Sequence, residues 1–320
     1  MCFAALLSAA DASAGSILTP FNVIVSGGFT ETSDDVGGGL AVGGNASVPG
    51  SFSIADNLNG EALSSFPGTS VTLIVAGTVT SGSFNLNAGD YYVPNGTVTG
   101  GTKVTSDPIT FSTQFTQFQT ESTEIANETA TCMTCASLSG GVLTINVNTV
   151  GMNVIDLTQA QIQGANEINF QAGSGVTFAS SSSSYGNAWV LLNIQGTSVT
   201  LNPNWGRDFN GSQEVGSGAY GAEDVLYNFY QATSITTTNA AIVGSVLAPW
   251  AAYTDTSGNQ IDGSLIAASF TGPAEFHNLN FLGPAFTPEP APLAGVGVGL
   301  IALALVLRRR ARGDARAVPL

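Results

Sequence analysis

Ile242-Val-Gly-Ser-Val-Leu-Ala248 is followed by Ile261-Asp-Gly-Ser-Leu-Ile-Ala267, one seven-residue pattern repeated at an offset of 19 residues. A second pair, Gly77-Thr-Val-Thr80 and Gly96-Thr-Val-Thr99, has the same offset. Two unrelated motifs recurring at one interval imply a physical period, the length of one coil of a β-solenoid. Small residues alternate with aliphatics because each short strand points one side chain inward and the next outward. Gly244 and Gly263 then fall at matching corners, where a Cβ is unwelcome. The repeat predicts Ile242 above Ile261 on successive rungs about 4.8 Å apart.

Composition agrees with a solenoid. Only 9% of the 320 residues are charged and 39 are glycine, which suits a solenoid or sandwich better than a helical enzyme. From Gly15 to Thr287 nineteen acidic residues face two basic ones, Lys103 and Arg207. No basic patch can be built from two cations, which excludes nucleic acid as a partner and argues against an anionic membrane surface. Cationic partners and divalent ions, calcium among them, stay open.

Strands are predicted at Phe21–Phe29, Val71–Val75, Val79, Phe84–Leu86 and Tyr91–Val93, with Gly- and Asn-containing turns between them. They return at Val142–Val147, Asn153–Leu157, Glu167–Phe170, Trp189–Ile194, Ser198–Leu201 and Val225–Tyr230. The glycine run around Gly37–Gly44 reads as coil corners, because no Lys-Ser/Thr follows as a phosphate loop requires. Between the two strand blocks Phe111, Phe115, Phe118 and Ile125 recur at helical spacing. With Asp107 as N-cap and Pro108 at the first helical position, one amphipathic helix is expected from Ile109 to about Ala130. The predicted fold is therefore all-β dominated: a right-handed β-solenoid with one long amphipathic helix packed alongside.

The two ends differ from this body. Residues 1–14 carry an apolar run and end in Ala12-Ser13-Ala14, which reads as a signal peptide that has lost its basic start. At the other end residues 287–292 form a Pro-rich linker, 293–307 an uncharged apolar stretch and 308–320 a basic tail. Fifteen apolar residues are short for a membrane span, which takes about 20. The arginines place the tail in the cytoplasm and the acidic body outside. Pro288-Glu289-Pro290, a short apolar helix and Arg308-Arg309-Arg310, in that order, resemble the PEP-CTERM sorting signal. That resemblance implies export, a C-terminal transmembrane helix and cleavage by a sorting protease of exosortase type.

The body carries a resemblance of its own. GSVLAPWA from Gly244, GNQIDGSLIAASF from Gly258 and EFHNLNFLG from Glu275 look like the C-terminal half of the choice-of-anchor A domain. FNVIVSGGF from Phe21 and DDVGGGLAVGGNASV from Asp34 look like its opening. The resemblance spans about residues 20–283, within a domain bounded here at 15–286, and is loose from Asp107 to Trp205. It implies an adhesive module on bacterial surface proteins, and it brings no catalytic or ligand-binding residues.

Few side chains suggest chemistry. Glu275 and His277 fall on one face of a strand, as a metal or acid–base pair requires, or as a hydrogen-bonded pair closing the last coil. His277 is the chain's single histidine, which excludes a multi-histidine metal site. Asp34, Asp35, Asp255 and Asp262 sit in or near Gly-rich turns and offer oxygens to calcium, without the spacing of a calcium loop; solvated turns are the simpler reading. Cys132-Met-Thr-Cys135 admits redox chemistry, half a zinc site or a local disulfide, and in an exported protein the disulfide is the default. No nucleophile elbow and no marked carboxylate pair are found, so no enzyme and no cofactor is expected.

The expected function is accordingly that of a non-catalytic surface protein, an adhesin or matrix component meeting a glycan, matrix or host surface. Solenoid coils with a helix alongside are also similar to bacterial ice-binding proteins, with Thr78–Thr80 and Thr97–Thr99 as Thr-x-Thr motifs. Ice binding needs a flat ladder over several coils, and these two motifs supply only two; a carbohydrate-active enzyme, the third reading, needs carboxylates clustered in a groove.

Overall fold

The computed structural model describes residues 21–33, 35–56, 70–181, 184, 186–202, 208–210, 212–213 and 218–284. The chain divides into two units, Met1–Ala285 and Phe286–Leu320, and every described residue belongs to the first. The expected signal peptide, linker, apolar stretch and basic tail lie outside the described residues. Among the described residues no helix is long and apolar enough to cross a membrane.

The first block of strands is β1 (Phe21–Val25), β2 (Phe29–Glu31), β3 (Gly39–Val42), β4 (Ala46–Ile54), β5 (Val71–Val75), β6 (Val79–Leu86), β7 (Asp90–Tyr92) and β8 (Val98–Thr99). Helix α1 (Phe111–Ala126) follows. The next block is β9 (Ala136–Ser139), β10 (Val142–Val147), β11 (Gly151–Leu157), the short helix α2 (Gln159–Gly164), β12 (Glu167–Ala172), β13 (Ala188–Ile194) and β14 (Ser198–Leu201). After β15 (Asp208–Phe209) and β16 (Ser212–Gln213) come β17 (Val225–Asn228), β18 (Ser234–Thr237), β19 (Ile242–Val243) and β20 (Ser245–Asp255). The last coil holds β21 (Ile261–Asp262), β22 (Leu265–Gly272) and β23 (Phe276–His277).

These strands stack in parallel as a β-solenoid with three sides. The helix side runs β11-β13-β17-β20-β22-β1-β3-β5-β7. The open side runs β14-β18-β20-β22-β2-β4-β6-β8, with the long strands β20 and β22 turning the corner to serve both. The third side contains β19-β21-β23, continued by Val36, which bridges Phe276 and Ile54. A separate five-stranded sheet holds the parallel run β10-β12-β15, flanked by antiparallel β9 and β16.

Order along the chain is not order in space. The last full coil, β22, pairs with β1 and β2 of the first, so the N-terminal strands stack onto the C-terminal ones. The expected rung is present: Ile242 pairs Ile261, and Leu247 pairs Ile266. Gly263 shows why glycine stands at this corner. Its φ is +154°, and a Cβ there would lie 2.4 Å from the Gly244 carbonyl oxygen. The Gly77 and Gly96 repeats are not in register, however. Thr78 bridges Asn95, while Phe84 and Asn85 pair Val98 and Thr99, because β6 is longer than β8 and their coils close differently.

Each side has its own sequence texture. Helix-side strands such as Phe21-Asn-Val-Ile-Val25 and Val71-Thr-Leu-Ile-Val75 are buried throughout, because they are covered on both faces, and they read as apolar runs broken once each, by Asn22 and Thr72. Helix α1 covers β17 and β20 on this side, with Phe115, Phe118 and Ile125 buried. It starts at Phe111 rather than Ile109 and ends at Ala126, with Thr110 and not Asp107 at its N-cap. The Asp107 carboxylate instead accepts from the Ile109 amide at 3.0 Å, forming a turn ahead of the helix. A polar clasp fixes the helix's position. The Ser122 hydroxyl donates to Asn228 Oδ1 (2.6 Å), Asn228 Nδ2 donates to Asn193 Oδ1 (3.0 Å), and Asn193 Nδ2 donates to the Ile125 carbonyl (3.0 Å).

The β11 end of the stack is capped. Thr131 donates its amide to the Val154 carbonyl and accepts the Val154 amide on its hydroxyl, so this edge strand is not left bare. Just beyond it Cys132 and Cys135 are joined by a disulfide.

Candidate functional site

The open side alternates buried and accessible residues, since only its inner face meets the core. Its inner row runs Val199, Ile235, Tyr253, Phe270 and Phe29, aromatic from Tyr253 onward, and further rings pack beside it. Tyr253 stacks on Phe270, Phe270 on Phe29, and Phe29 and Phe52 meet edge-on, as do Phe52 and Phe84. Each such pair adds about 0.5–1.5 kcal/mol beyond burial and leaves little freedom to the strands above.

The outer row is threonine. Thr200 pairs Thr236, Thr236 pairs Thr254, Thr254 pairs Thr271, and Thr271 pairs Thr30. Ser47 and then Ser81 continue the row. Two residues back, Ser198, Ser234, Ala252 and Ser269 form a second row in the same register. Strand geometry sets repeats of about 4.8 Å across the strands and about 6.6 Å along them. Within the described residues none of the five threonine hydroxyls bonds a protein group, whereas Ser234 donates to Ser198 at 3.0 Å. Neither row contains a charge. Five neutral hydroxyls, each with a methyl beside it, thus form a regular lattice facing outward.

This ladder uses neither Thr78–Thr80 nor Thr97–Thr99 as its register. The signal that finds it is a tripeptide of small residue, inward apolar residue and threonine. It occurs as Ser198-Val-Thr200, Ser234-Ile-Thr236, Ala252-Tyr-Thr254, Ser269-Phe-Thr271 and Gly28-Phe-Thr30.

The polar residues singled out earlier are partly gathered elsewhere. On the third side His277 Nδ1 lies 2.5 Å from Asp262 Oδ1 and Nε2 lies 3.1 Å from Glu275 Oε1. Burial alone would lower the histidine's pKa, but the hydrogen bonds and charges of Asp262 and Glu275 outweigh it and the net shift is upward. Asp35 stands beside them and is pushed up to about 7 by burial, by its hydrogen bond with Asp56 and by the charges of Asp56 and Glu275. Both ring nitrogens of His277 are thus taken by carboxylates, and among the described residues no three His, Cys, Asp or Glu side chains come together as a metal-holding group.

Asp255 belongs to a different place. It is buried rather than solvated, accepting from the Thr237 hydroxyl (2.7 Å) and the Gly258 amide (2.8 Å), which ties its turn to the preceding coil. Asp262 is likewise buried, not in a solvated turn. Asp34 and the sorting residues Pro288, Glu289, Pro290, Arg308, Arg309 and Arg310 lie outside the described residues.

A family model described as "Putative Ice-binding-like adhesive domain" matches residues 14–278. No curated protein matches the chain. Among solved structures the chain is similar to an ice-binding protein from an Antarctic biological consortium, at 14% identity and TM-score 0.40, covering 82% of this chain and 90% of that one. It is similar also to an ice-binding protein of the Antarctic ascomycete Antarctomyces psychrotrophicus, at 17% identity and TM-score 0.39, with 86% and 98% covered. A glycosylated ice-binding protein from an Arctic yeast matches at 13% identity and TM-score 0.35, with 86% and 94% covered.

Proposed function

We propose that this chain, which belongs to the ice-binding-like adhesive domain family, is a non-catalytic module that attaches to ice through its open side. The observation that carries this reading is the in-register ladder Thr200-Thr236-Thr254-Thr271-Thr30. A hydroxyl at every rung hydrogen-bonds to ordered water, and the methyl beside it displaces disordered water without holding a competing shell. Charged side chains would keep their own hydration, and neither row has any. The aromatic stack beneath holds the repeat, so no ordering entropy is lost when a lattice meets it.

Attachment to ice is one form of the adhesive role expected of a surface protein. In the fuller reading the coils wind right-handed, as parallel connections do. The body is exported behind the signal peptide at residues 1–14, and the PEP-CTERM-like tail holds it at the membrane until a sorting protease cuts. The choice-of-anchor A resemblance supports the same placement on a bacterial surface. Deleting Leu293–Leu320 then releases a soluble, folded, acidic body from the cell; a truncated chain still bound to membranes sinks the anchoring part alone.

The test of ice binding is partition of the folded protein into slowly growing ice, with a Thr236→Tyr, Thr254→Tyr double variant beside it. The reading expects enrichment of the parent in the ice and of the variant in the liquid. Parent protein that is folded yet excluded from ice overturns it. A glycan and matrix-protein array probed with the same sample then decides whether adhesion takes another surface.

A further inference from the structure

The two halves of the chain meet at one junction. On the helix side it is closed by apolar rungs such as Val23 against Leu265, and on the open side by Phe29 against Phe270. The third side is different. There the two-residue strand β23 is held by its Phe276 amide on the Asp35 carbonyl (3.1 Å) and by the Gly37 amide on the Phe276 carbonyl (2.7 Å). Asn22 adds a neutral tie, donating to the Gly263 carbonyl at 2.7 Å and to the His277 carbonyl at 3.0 Å.

Five ionisable side chains surround this short strand. Asp35 follows β2, Asp56 follows β4, Asp262 lies in β21, and Glu275 and His277 flank Phe276. Two of the segments come from the start of the domain and two from its end, so their charges act across the junction.

We propose that the Asp262–His277–Glu275 group and the Asp35–Asp56 pair form a proton-operated latch on the third side of this junction, closed in mild acid and loosened in alkali. In the closed state the imidazolium donates from both nitrogens, to Asp262 and to Glu275, and Asp35 keeps its proton beside Asp56. Raising the pH removes both protons. Four carboxylates then crowd a neutral imidazole that donates to only one of its two partners. Apolar rungs on the other two sides titrate nothing, so the loosening is confined to β23 and its neighbours.

Both groups act in one direction. The pKa of His277 is raised, so its stabilisation is complete below the ordinary imidazole value and is lost as pH rises through the folded one. Asp35 is raised too, so its contribution is complete below 3.8 and is gone once pH passes about 7. The charges acting on Asp35 are those of Asp56, Glu275 and His277, and those acting on His277 are Asp262 and Glu275. The latch acts on the fold, whatever the open side binds.

Amide hydrogen exchange on the full chain tests it. The Gly37, Ile261 and Phe276 amides are compared with those of Ile24 and Leu226 on the helix side, at about pH 5 and about pH 9, each corrected for intrinsic rate. Junction amides should lose at least about tenfold more protection than the reference amides at the higher pH. Asp35→Asn, which offers Asp56 a donor and removes one charge, should abolish most of that loss. His277→Gln, which removes the imidazolium alone, should lower protection at about pH 5 part of the way toward the parent's level at about pH 9. Equal losses at junction and reference amides in the parent overturn the latch, as does an Asp35→Asn variant with the parent's pH dependence. If His277→Gln does not fold, the Asp35→Asn comparison decides alone.

Discussion

Thr271 and Thr30 face each other on neighbouring strands, although one closes the last full coil of the domain and the other opens its first. The threonine ladder therefore passes through the junction without a break. Neither half of the chain holds the whole lattice, and the two halves must be in register for five threonines to align.

A bulky residue at the middle of the lattice should do more harm than one at its end. Thr271→Tyr is expected to abolish enrichment in ice, while Ser81→Tyr leaves most of it. Both positions are on the surface, so melting should shift by no more than about 0.5 kcal/mol in either case. Equal effects in the ice-partition assay would mean that the ladder is not the contact.

Gly263→Ala should destabilise the protein by about 2 kcal/mol or more. Its φ of +154° disfavours any side chain, and the new Cβ would press on the Gly244 carbonyl one coil away. Denaturant melts of Gly263→Ala beside Gly140→Ala separate the two causes. Gly140 also has positive φ, at +60°, but nothing lies within 4 Å of its Cβ position.

Glu121 on α1 is pushed up to about 7, first by burial and also by the charge of Glu124, against the opposing hydrogen bond from Gln117. A raised carboxyl pKa means stability that is complete in acid and lost as pH rises through about 7. Glu121→Gln should therefore raise stability by about 1 kcal/mol in alkali, after allowance for partial exposure, and leave it unchanged near pH 4. Thermal melts across that range check the sign.

Asn228→Ala removes the centre of the clasp between α1 and the helix side. It leaves the Ser122 hydroxyl and Asn193 Oδ1 buried without their partner. A loss of about 3 kcal/mol is expected, with faster exchange in α1 than in the sheet beneath it.

Replacing Cys132 and Cys135 by serine should cost about 2 kcal/mol on loop-closure grounds. Fraying should begin at β9 and the β11 edge, which the Thr131 segment covers. Free thiols at both positions in protein recovered outside the cell would count against the bond.

The coil was readable in the sequence where two successive coils have equal length, as at Ile242 and Ile261. The helix was readable because Phe115, Phe118 and Ile125 must share one face to cover the strands. The ladder was not, because coil length varies: Ser198 and Ser234 are 36 residues apart, while Thr237 and Asp255 are 18 apart. Corners absorb the difference, so no fixed interval marks the threonines. Pairing of β22 with β1 was hidden for a related reason. Edge strands accept a partner through backbone groups that every residue carries, and nothing in their side chains names it.

That pairing also dictates a timetable for assembly. A chain made from its N-terminus presents β1 and β2 first, yet their neighbour β22 is among the last segments to appear. Until then the early coils stand with an uncovered edge, the condition that favours pairing with the wrong chain. Contacts between such distant segments are slow to close. The domain should thus complete itself in one late step, when its final coil docks, and a nascent chain halted before Leu265 should be sticky, protease-sensitive and unable to present its lattice.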